Sequence, residues 1–299
     1  MDAHRTLPVV QSSGTVDFMV AAYLARFPAS TRSCYTSHLR GWLTWCLEHG
    51  LDPLAVQRAH IEAWGRHLTE ERKLKVATVK AKLNCVCGMY KYAHLDGLIA
   101  TNPAAHVRKP RVEFVSTTNA LSRAQLARLI EAAKDDGPVS HALIALLAYN
   151  GLRIGECLAI DIDDFGYHGA YRTLHLPNRK GGKVSTVSLA IPTIEVINKA
   201  IDGRTSGPLL RGRSGDRLEV GAARRIVKKL CRQVGVTKRV TPHSLRHSFV
   251  TMALDAGIPE RDIMASTGHA TPVMVAYYDR NRGAIERNAT HAVAAYIGA

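Results

Sequence analysis

The chain has 299 residues and a formal charge of +15 at pH 7, from 40 Lys plus Arg against 25 Asp plus Glu. That length suits about two domains, each with its own core, and the charge points to a polyanionic partner, because released counterions drive such binding. Charge alone does not separate DNA from RNA or an anionic membrane surface. The N-terminal residues, Met-Asp-Ala-His-Arg-Thr-Leu-Pro, lack the basic-then-apolar order of a signal peptide, and the longest apolar run, Ala142 to Tyr149, is too short to span a bilayer. The expected compartment is the cytoplasm, with no membrane partner. Cys34, Cys46, Cys85, Cys87, Cys157 and Cys231 are scattered, and the one close pair, Cys85 and Cys87, is tighter than zinc spacing. They read as reduced core residues.

From about residue 15 to 100 the apolar spacing is helical throughout. Val16, Val20, Tyr23, Leu24 and Phe27 form one stripe; Tyr35, Leu39, Trp42, Leu43 and Cys46 form a second, with Ser30 as its expected cap and Gly50 at its close. Ile61, Trp64 and Leu68 mark a third helix. Leu83, Val86, Cys87, Tyr90 and Ala93 mark a fourth, which carries Lys80, Lys82 and Lys91 off its apolar stripe. With Arg32, these lysines are either solvated faces or contacts to a polyanion. Thr101-Asn102-Pro103 ends the pattern, and the basic, proline-interrupted stretch from His106 to Val112, with Arg108, Lys109 and Arg111, is the expected linker. It suits a strap along a phosphate backbone or a plain solvated connection.

A second domain opens near Leu121, where Ser122 is placed to cap a helix bearing Leu126, Leu129 and Ile130. His141 to Asn150 is apolar enough to be buried, and Gly151 follows it before a short helix through Ile154, Cys157 and Leu158. After Asp161 the alternation becomes that of strands: Arg172 to Pro177, a turn over Arg179-Lys180-Gly181-Gly182, then Lys183 to Leu189. Helices resume from Thr193 to Ala200 and from Gly221 to Gln233, and the last third is mostly helical. Internal repeats and low-complexity segments are absent from the sequence.

Four segments of this domain carry residues suited to phosphoryl chemistry. Arg153 stands at a helix start with Glu156 one turn later, where the carboxylate can orient the guanidinium. Lys180 sits at the hairpin turn, where a long side chain can reach a substrate and protonate a leaving alkoxide, or stay solvated. Pro242 is placed for a first helical turn, which puts His243 and Arg246 on one face at i, i+3. A permanently charged planar fork can grip two phosphate oxygens. His269 follows Gly268, and Tyr278 stands nine residues beyond it, beside Tyr277.

In this order, the Gly151 to Glu156 motif, the hairpin lysine, the His-x-x-Arg helix, the Gly-His pair and the tyrosine nine residues on resemble a tyrosine recombinase of the phage-integrase and Xer type. The resemblance covers nearly the whole chain and includes Asn102-Pro103-Ala104, which is similar to the family's domain junction. It implies a two-domain architecture: an N-terminal extension at 1–14, an all-α core-binding (SAM-like) domain at 15–106, a basic linker at 107–118, and a mainly α catalytic domain at 119–299 with a small antiparallel β-sheet, the DNA breaking-rejoining enzyme fold. Thr267 departs from the pattern, since a leucine usually precedes the Gly-His pair.

The resemblance implies that Arg153 and Arg246 clamp a scissile phosphate, His243 and His269 donate hydrogen bonds or help move protons, Lys180 is the general acid and Tyr278 the nucleophile. Tyr277 and Lys183 are the rivals for the last two roles. A phenol ordinarily has a pKa of about 10, so a positive pocket must favour the phenolate as it attacks. Attack leaves a 3′-phosphotyrosine and a free 5′-hydroxyl and calls for neither ATP nor a metal; no cofactor is expected. The implied partners are double-stranded DNA with roughly inverted-repeat sites and, in synapsis, three further copies of the chain around a homotetramer; the free protein is expected as a monomer or weak oligomer. The segment 288–299, with Ala292, Val293, Tyr296 and Ile297 at helical spacing, docks on a neighbouring protomer or on its own domain. A topoisomerase-like or end-resolving enzyme of the same chemistry, and a catalytically silent DNA-binding regulator, are the alternative functions.

Overall fold

The computed structural model describes residues 12–112, 120–179, 183–269 and the single positions 271, 272, 275, 290, 293, 294 and 297. The chain divides into two compact units, Met1–Glu113 and Phe114–Ala299. Among the described residues, no helix is long and apolar enough to cross a membrane.

The first unit holds four helices: α1 (Ser12–Ala25), α2 (Ala29–Glu48), α3 (Arg58–Glu70) and α4 (Val76–Leu95). α4 packs against the other three, and its apolar face closes over the fully buried Trp42 and Trp64, with Met89 and Tyr90 supplied from α4 itself. Burying indole and phenol requires partners for their polar atoms. The Trp42 Nε1–H donates to the Tyr90 hydroxyl at 3.0 Å, and that hydroxyl donates to the Pro53 carbonyl at 2.9 Å. The chain beyond α4 stays on this unit: Ala104 is buried, Val107 packs on the same core, and the Arg108 N–H donates to Glu62 Oε1 at 3.2 Å.

Two local expectations fail here. α2 starts at Ala29 with Pro28 as its N-cap residue, so Ser30 lies inside the first turn instead of before it. Proline fixes φ near the value a helix entrance needs and lacks the N–H that would otherwise be orphaned, so the chain turns there without a side-chain cap. Cys34 is exposed, whereas the other five cysteines are buried; all six are free thiols.

The second unit is built on α6 (Pro138–Tyr149), whose residues Ala142 to Ala148 are all buried. Around it lie α5 (Arg123–Asp136), α7 (Ile154–Ala159), α8 (Ile191–Ile201), α9 (Val220–Gln233) and α10 (Pro242–Asp255), each in contact with it; α11 (Glu260–Thr267) packs on α10. Ser122 caps α5 through a reciprocal box with Gln125, at 3.2 Å and 3.1 Å, as its position in the sequence implied. A three-stranded antiparallel sheet runs β1 (Phe165–His168), β2 (Tyr171–Arg179), β3 (Lys183–Ser188), with Leu174 opposite both Phe165 and Val187. β1 was not foreseen, and Arg179 belongs to β2 instead of the turn. The β2–β3 register shifts between Leu176 and Arg179, where Pro177 has no N–H to give to the ladder.

Two arginines fasten loops to this frame. Arg204 donates to the carbonyls of Ala200, Ile201, Pro208 and Leu209 at 2.6 to 3.0 Å, closing the end of α8. Arg217 reaches the carbonyls of Leu158 and Ile160 and pairs with Asp161 at 2.6 Å, which holds the C-terminal end of the short α7.

Replacing Tyr90 with Phe leaves the buried Trp42 indole N–H without its acceptor. The expected cost is about 1–3 kcal/mol in urea unfolding of the full chain, with helical content unchanged.

Candidate functional site

The site forms where two helices end. The last carbonyls of a helix have no intrahelical donor, and the aligned peptide dipoles leave partial negative charge there. α6 ends at Tyr149, followed by Asn150 and then Gly151 with φ +58°; α11 ends at Thr267, followed by Gly268 with φ +66°. Arg246 joins the two ends. Its Nη1 donates to the Gly151 carbonyl at 2.6 Å and its Nη2 to the Thr267 carbonyl at 2.7 Å, while the side chain is only 1% exposed.

The local sequence explains why Arg246 stands there. Thr241 caps α10, Pro242 opens it, and Thr241 and Ser244 exchange bonds that fix the entrance angle. One turn further, the Ser248 hydroxyl donates to the Ser244 carbonyl and accepts the Leu121 N–H at 2.7 Å. α10 is thereby held along the length that carries both His243 and Arg246.

Arg153 approaches the same carbonyls from α7. Glu156 Oε2 accepts the Arg153 backbone N–H at 2.9 Å, and Oε1 accepts its Nη1 at 2.7 Å. The guanidinium then reaches the Thr267 carbonyl at 3.4 Å and the Gly268 carbonyl at 3.2 Å. Glu156 is buried, and the charge-assisted pairing with Arg153 offsets the cost of that burial. The Arg153 side chain remains 26% exposed and so presents the accessible guanidinium of the pair.

His269 lies against Arg246, with its Nε2 3.0 Å from Arg246 Nη2, and its Nδ1 is 2.8 Å from the Thr267 hydroxyl. His243 is reachable from the surface. Desolvation on its inner side, and then the charges of Arg246 and Arg153, hold its pKa below the usual histidine value. His247, one residue past Arg246, is pushed down to about 4, chiefly by burial and then by His243. Both rings are therefore neutral at pH 7.

Of the seven residues expected in the site, Arg153, Glu156, His243, Arg246 and His269 come together. Lys180 and Tyr278 lie outside the described residues, as do Tyr277 and any side-chain position for Lys183; the flanks of the turn, Arg179 and Lys183, are register partners. Among the described residues, no three His, Cys, Asp or Glu side chains gather as metal ligands would.

Beside His243 opens a groove of about 1050 Å³ lined by Arg224, Lys228, Arg232, Lys238 and Arg239. α9 divides cleanly, with Ala223, Val227, Leu230 and Cys231 inward and Arg224, Lys228 and Arg232 outward at i, i+4, i+8. Lys238 is additionally tied to the Ala120 carbonyl. Sequence reading passed over these cations because their spacing registers first as an ordinary amphipathic helix. In the first unit Arg32, Arg108, Lys109, Arg111 and Lys91 are exposed and Lys80 half-buried. Lys80 and Lys91 share one face of α4, whereas Lys82, about 200° around the helix from Lys80, turns toward α2, its Nζ 3.8 Å from where a Gly41 side chain would begin.

The model of the phage integrase family matches residues 119–284, more than half of the chain. The chain belongs to the phage integrase family. Relatives in this family of tyrosine recombinases include a tyrosine recombinase of Pseudothermotoga lettingae, 24% identical over 83% of this chain and 86% of its own, and the tyrosine recombinase XerD of Mycobacterium tuberculosis, 28% identical over 84% and 86%. Among solved structures, a lambda integrase tetramer bound to a Holliday junction superposes with a TM-score of 0.72 at 18% identity, covering 92% of this chain and 78% of that one. For this integrase-family chain the likeness establishes the fold.

Two changes probe the frame. Gly151→Ala would place a Cβ 2.4 Å from Phe249 in a backbone conformation that side chains resist, and would disturb the carbonyl Arg246 holds. We expect a loss of about 1–3 kcal/mol in thermal or urea unfolding, with Phe249→Ala in the same chain recovering only the steric part. His247 is neutral when folded and protonated below about 6.5 when unfolded, so its contribution to stability is present above that pH and disappears as pH falls toward 4. The free energy of unfolding from urea titrations should drop over this window by about 3 kcal/mol more in the wild type than in His247→Gln.

Proposed function

We propose that this chain cuts and rejoins double-stranded DNA at specific sites through a 3′-phosphotyrosine intermediate. The carrying observation is the convergence of Arg153 and Arg246 on the Thr267 carbonyl, with His269 against Arg246 and His243 one turn before it on α10. A phosphodiester is anionic, and charge on its non-bridging oxygens must be met at the transition state by donors already in place. Arg153 supplies the reachable fork and Arg246 the fixed charge behind it.

In this reading the Tyr278 phenolate attacks phosphorus, the bond from phosphorus to the 5′-oxygen breaks, and Lys180 gives its proton to that departing oxygen. The phosphotyrosine keeps the bond energy, and a 5′-hydroxyl from another strand reverses the same steps, so the exchange needs no ATP. Neutral His243 can accept or donate a proton along the way, while the His269 ring backs the arginines from beside Arg246. Neither a cofactor nor a metal enters these steps.

The DNA backbone would lie along the groove of Arg224, Lys228, Arg232 and Arg239 and reach the arginines past His243. Residues 15–106 would contact the DNA as a core-binding, SAM-like domain through Arg32, Lys80, Lys82 and Lys91, with Arg108, Lys109 and Arg111 of the linker 107–118 following the phosphates and 119–299 forming the catalytic domain. Lys82 is the weakest of these contacts, given its turn toward α2. As with the lambda integrase tetramer on its junction, four copies would act on two inverted-repeat sites in the cytoplasm, with segment 288–299 exchanged between neighbours.

A suicide duplex, nicked so that the cleaved strand end diffuses away, tests the proposal once the native site is known from the DNA flanking the gene. The wild type should form a denaturant-resistant covalent adduct at the site, Tyr278→Phe none, and Arg153→Ala at least ~100-fold less, with site binding retained in both variants. Absence of an adduct with wild type, or an undiminished adduct with Tyr278→Phe, would overturn it.

A further inference from the structure

Thr267 stands where a leucine is usual, and its side chain is fully buried between α11 and His269. Its hydroxyl donates to the Ile263 carbonyl one turn back at 2.6 Å, which commits its only proton. Toward His269 Nδ1, 2.8 Å away, the oxygen can then only accept, so Nδ1 carries the hydrogen. On the other side of the ring, Arg246 Nη2 is 3.0 Å from Nε2, and a guanidinium can only donate. Nε2 therefore offers its lone pair. Every polar atom in the chain from the Ile263 carbonyl to Arg246 has one consistent role, and the ring is neutral with a single tautomer.

We infer that Thr267 is a positioning residue that fixes His269 as the Nδ1–H tautomer, with Nε2 presented as a hydrogen-bond acceptor beside Arg246. A leucine at this place has no oxygen for Nδ1–H, so the ring would have to find another donor-acceptor pattern. The same residue also holds the site through its backbone, because its carbonyl accepts from both arginines. The side chain sets the proton on the histidine; the backbone sets the arginines.

The consequence for catalysis rests on the function proposed above, whereas the tautomer itself does not. The full chain labelled with ¹⁵N-histidine, with His269 resonances assigned by their loss in His269→Asn, reports which ring nitrogen carries the proton near pH 7. The wild type should show a protonated Nδ1 and an unprotonated Nε2. Thr267→Val, which keeps the shape and removes the oxygen, should lose that pattern; Thr267→Ser should retain it. On the suicide duplex, Val should slow adduct formation about 10- to 100-fold, as removal of a histidine-orienting partner does elsewhere, with DNA affinity unchanged, and Ser should restore the rate. A wild-type ring protonated at Nε2 would overturn the inference without any variant, as would a Val variant with the wild-type spectrum and rate, or a Ser variant as impaired as Val. An expected set of spectra with no adduct from wild type would refute the proposed function and leave the tautomer assignment standing.

Discussion

A single buried guanidinium holds the second unit's candidate site together. Arg246 spans the C-terminal ends of α6 and α11, two places where unsatisfied carbonyls collect partial negative charge. A buried cation is costly without partners, and helix ends deliver them as fixed dipoles that cannot swing away. The arrangement serves both directions: the carbonyls stabilise the charge, and the charge brings two helix ends to within one side chain of each other. Arg153, His243 and His269 then take their places relative to that contact.

Positive charge is layered around this point. Arg246 is inside, Arg153 sits at the opening, and the outward face of α9 continues the cations along a groove. His243 and His247 are kept neutral, chiefly by burial, aided at His243 by the charges of Arg246 and Arg153 and at His247 by His243. Fixed charge and titratable groups are thus separated: the arginines stay charged at any ordinary pH, and the His243 and His247 imidazoles stand neutral beside them.

Much of this was legible in the sequence where spacing alone decides geometry. His243 and Arg246 fall on one helix face because Thr241 and Pro242 start the helix where capping chemistry says they should, and Glu156 meets Arg153 because three residues make about one turn. Ser122 was readable for the same reason. The illegible parts depend on the third dimension. β1 is four residues long and contains Gly166, too short to establish alternation, and it exists because Phe165 and Gly166 pair with Leu174 and Thr173. Pro28 displaced Ser30 as the start of α2 through backbone restriction, which a search for polar caps misses. Thr267 was visible only as a departure from a pattern; its use appears once the turn at Gly268 folds His269 back over the hydroxyl. The Gly151 carbonyl, a backbone atom, left no side-chain signature at all.

The contacts that Arg246 makes reach 95 residues back to Gly151 and 21 residues forward to Thr267. Loops that long close late, after the helices they connect have already formed. On a ribosome, α6 and α7 emerge and can pack well before α10 and α11 exist, so the contact that joins the two helix ends cannot assemble piecemeal. A nascent or truncated chain that stops before residue 267 lacks one whole side of it. Order of synthesis therefore makes the joining of the two helix ends by Arg246 one of the last contacts this unit can form, once the end of α11 has been delivered.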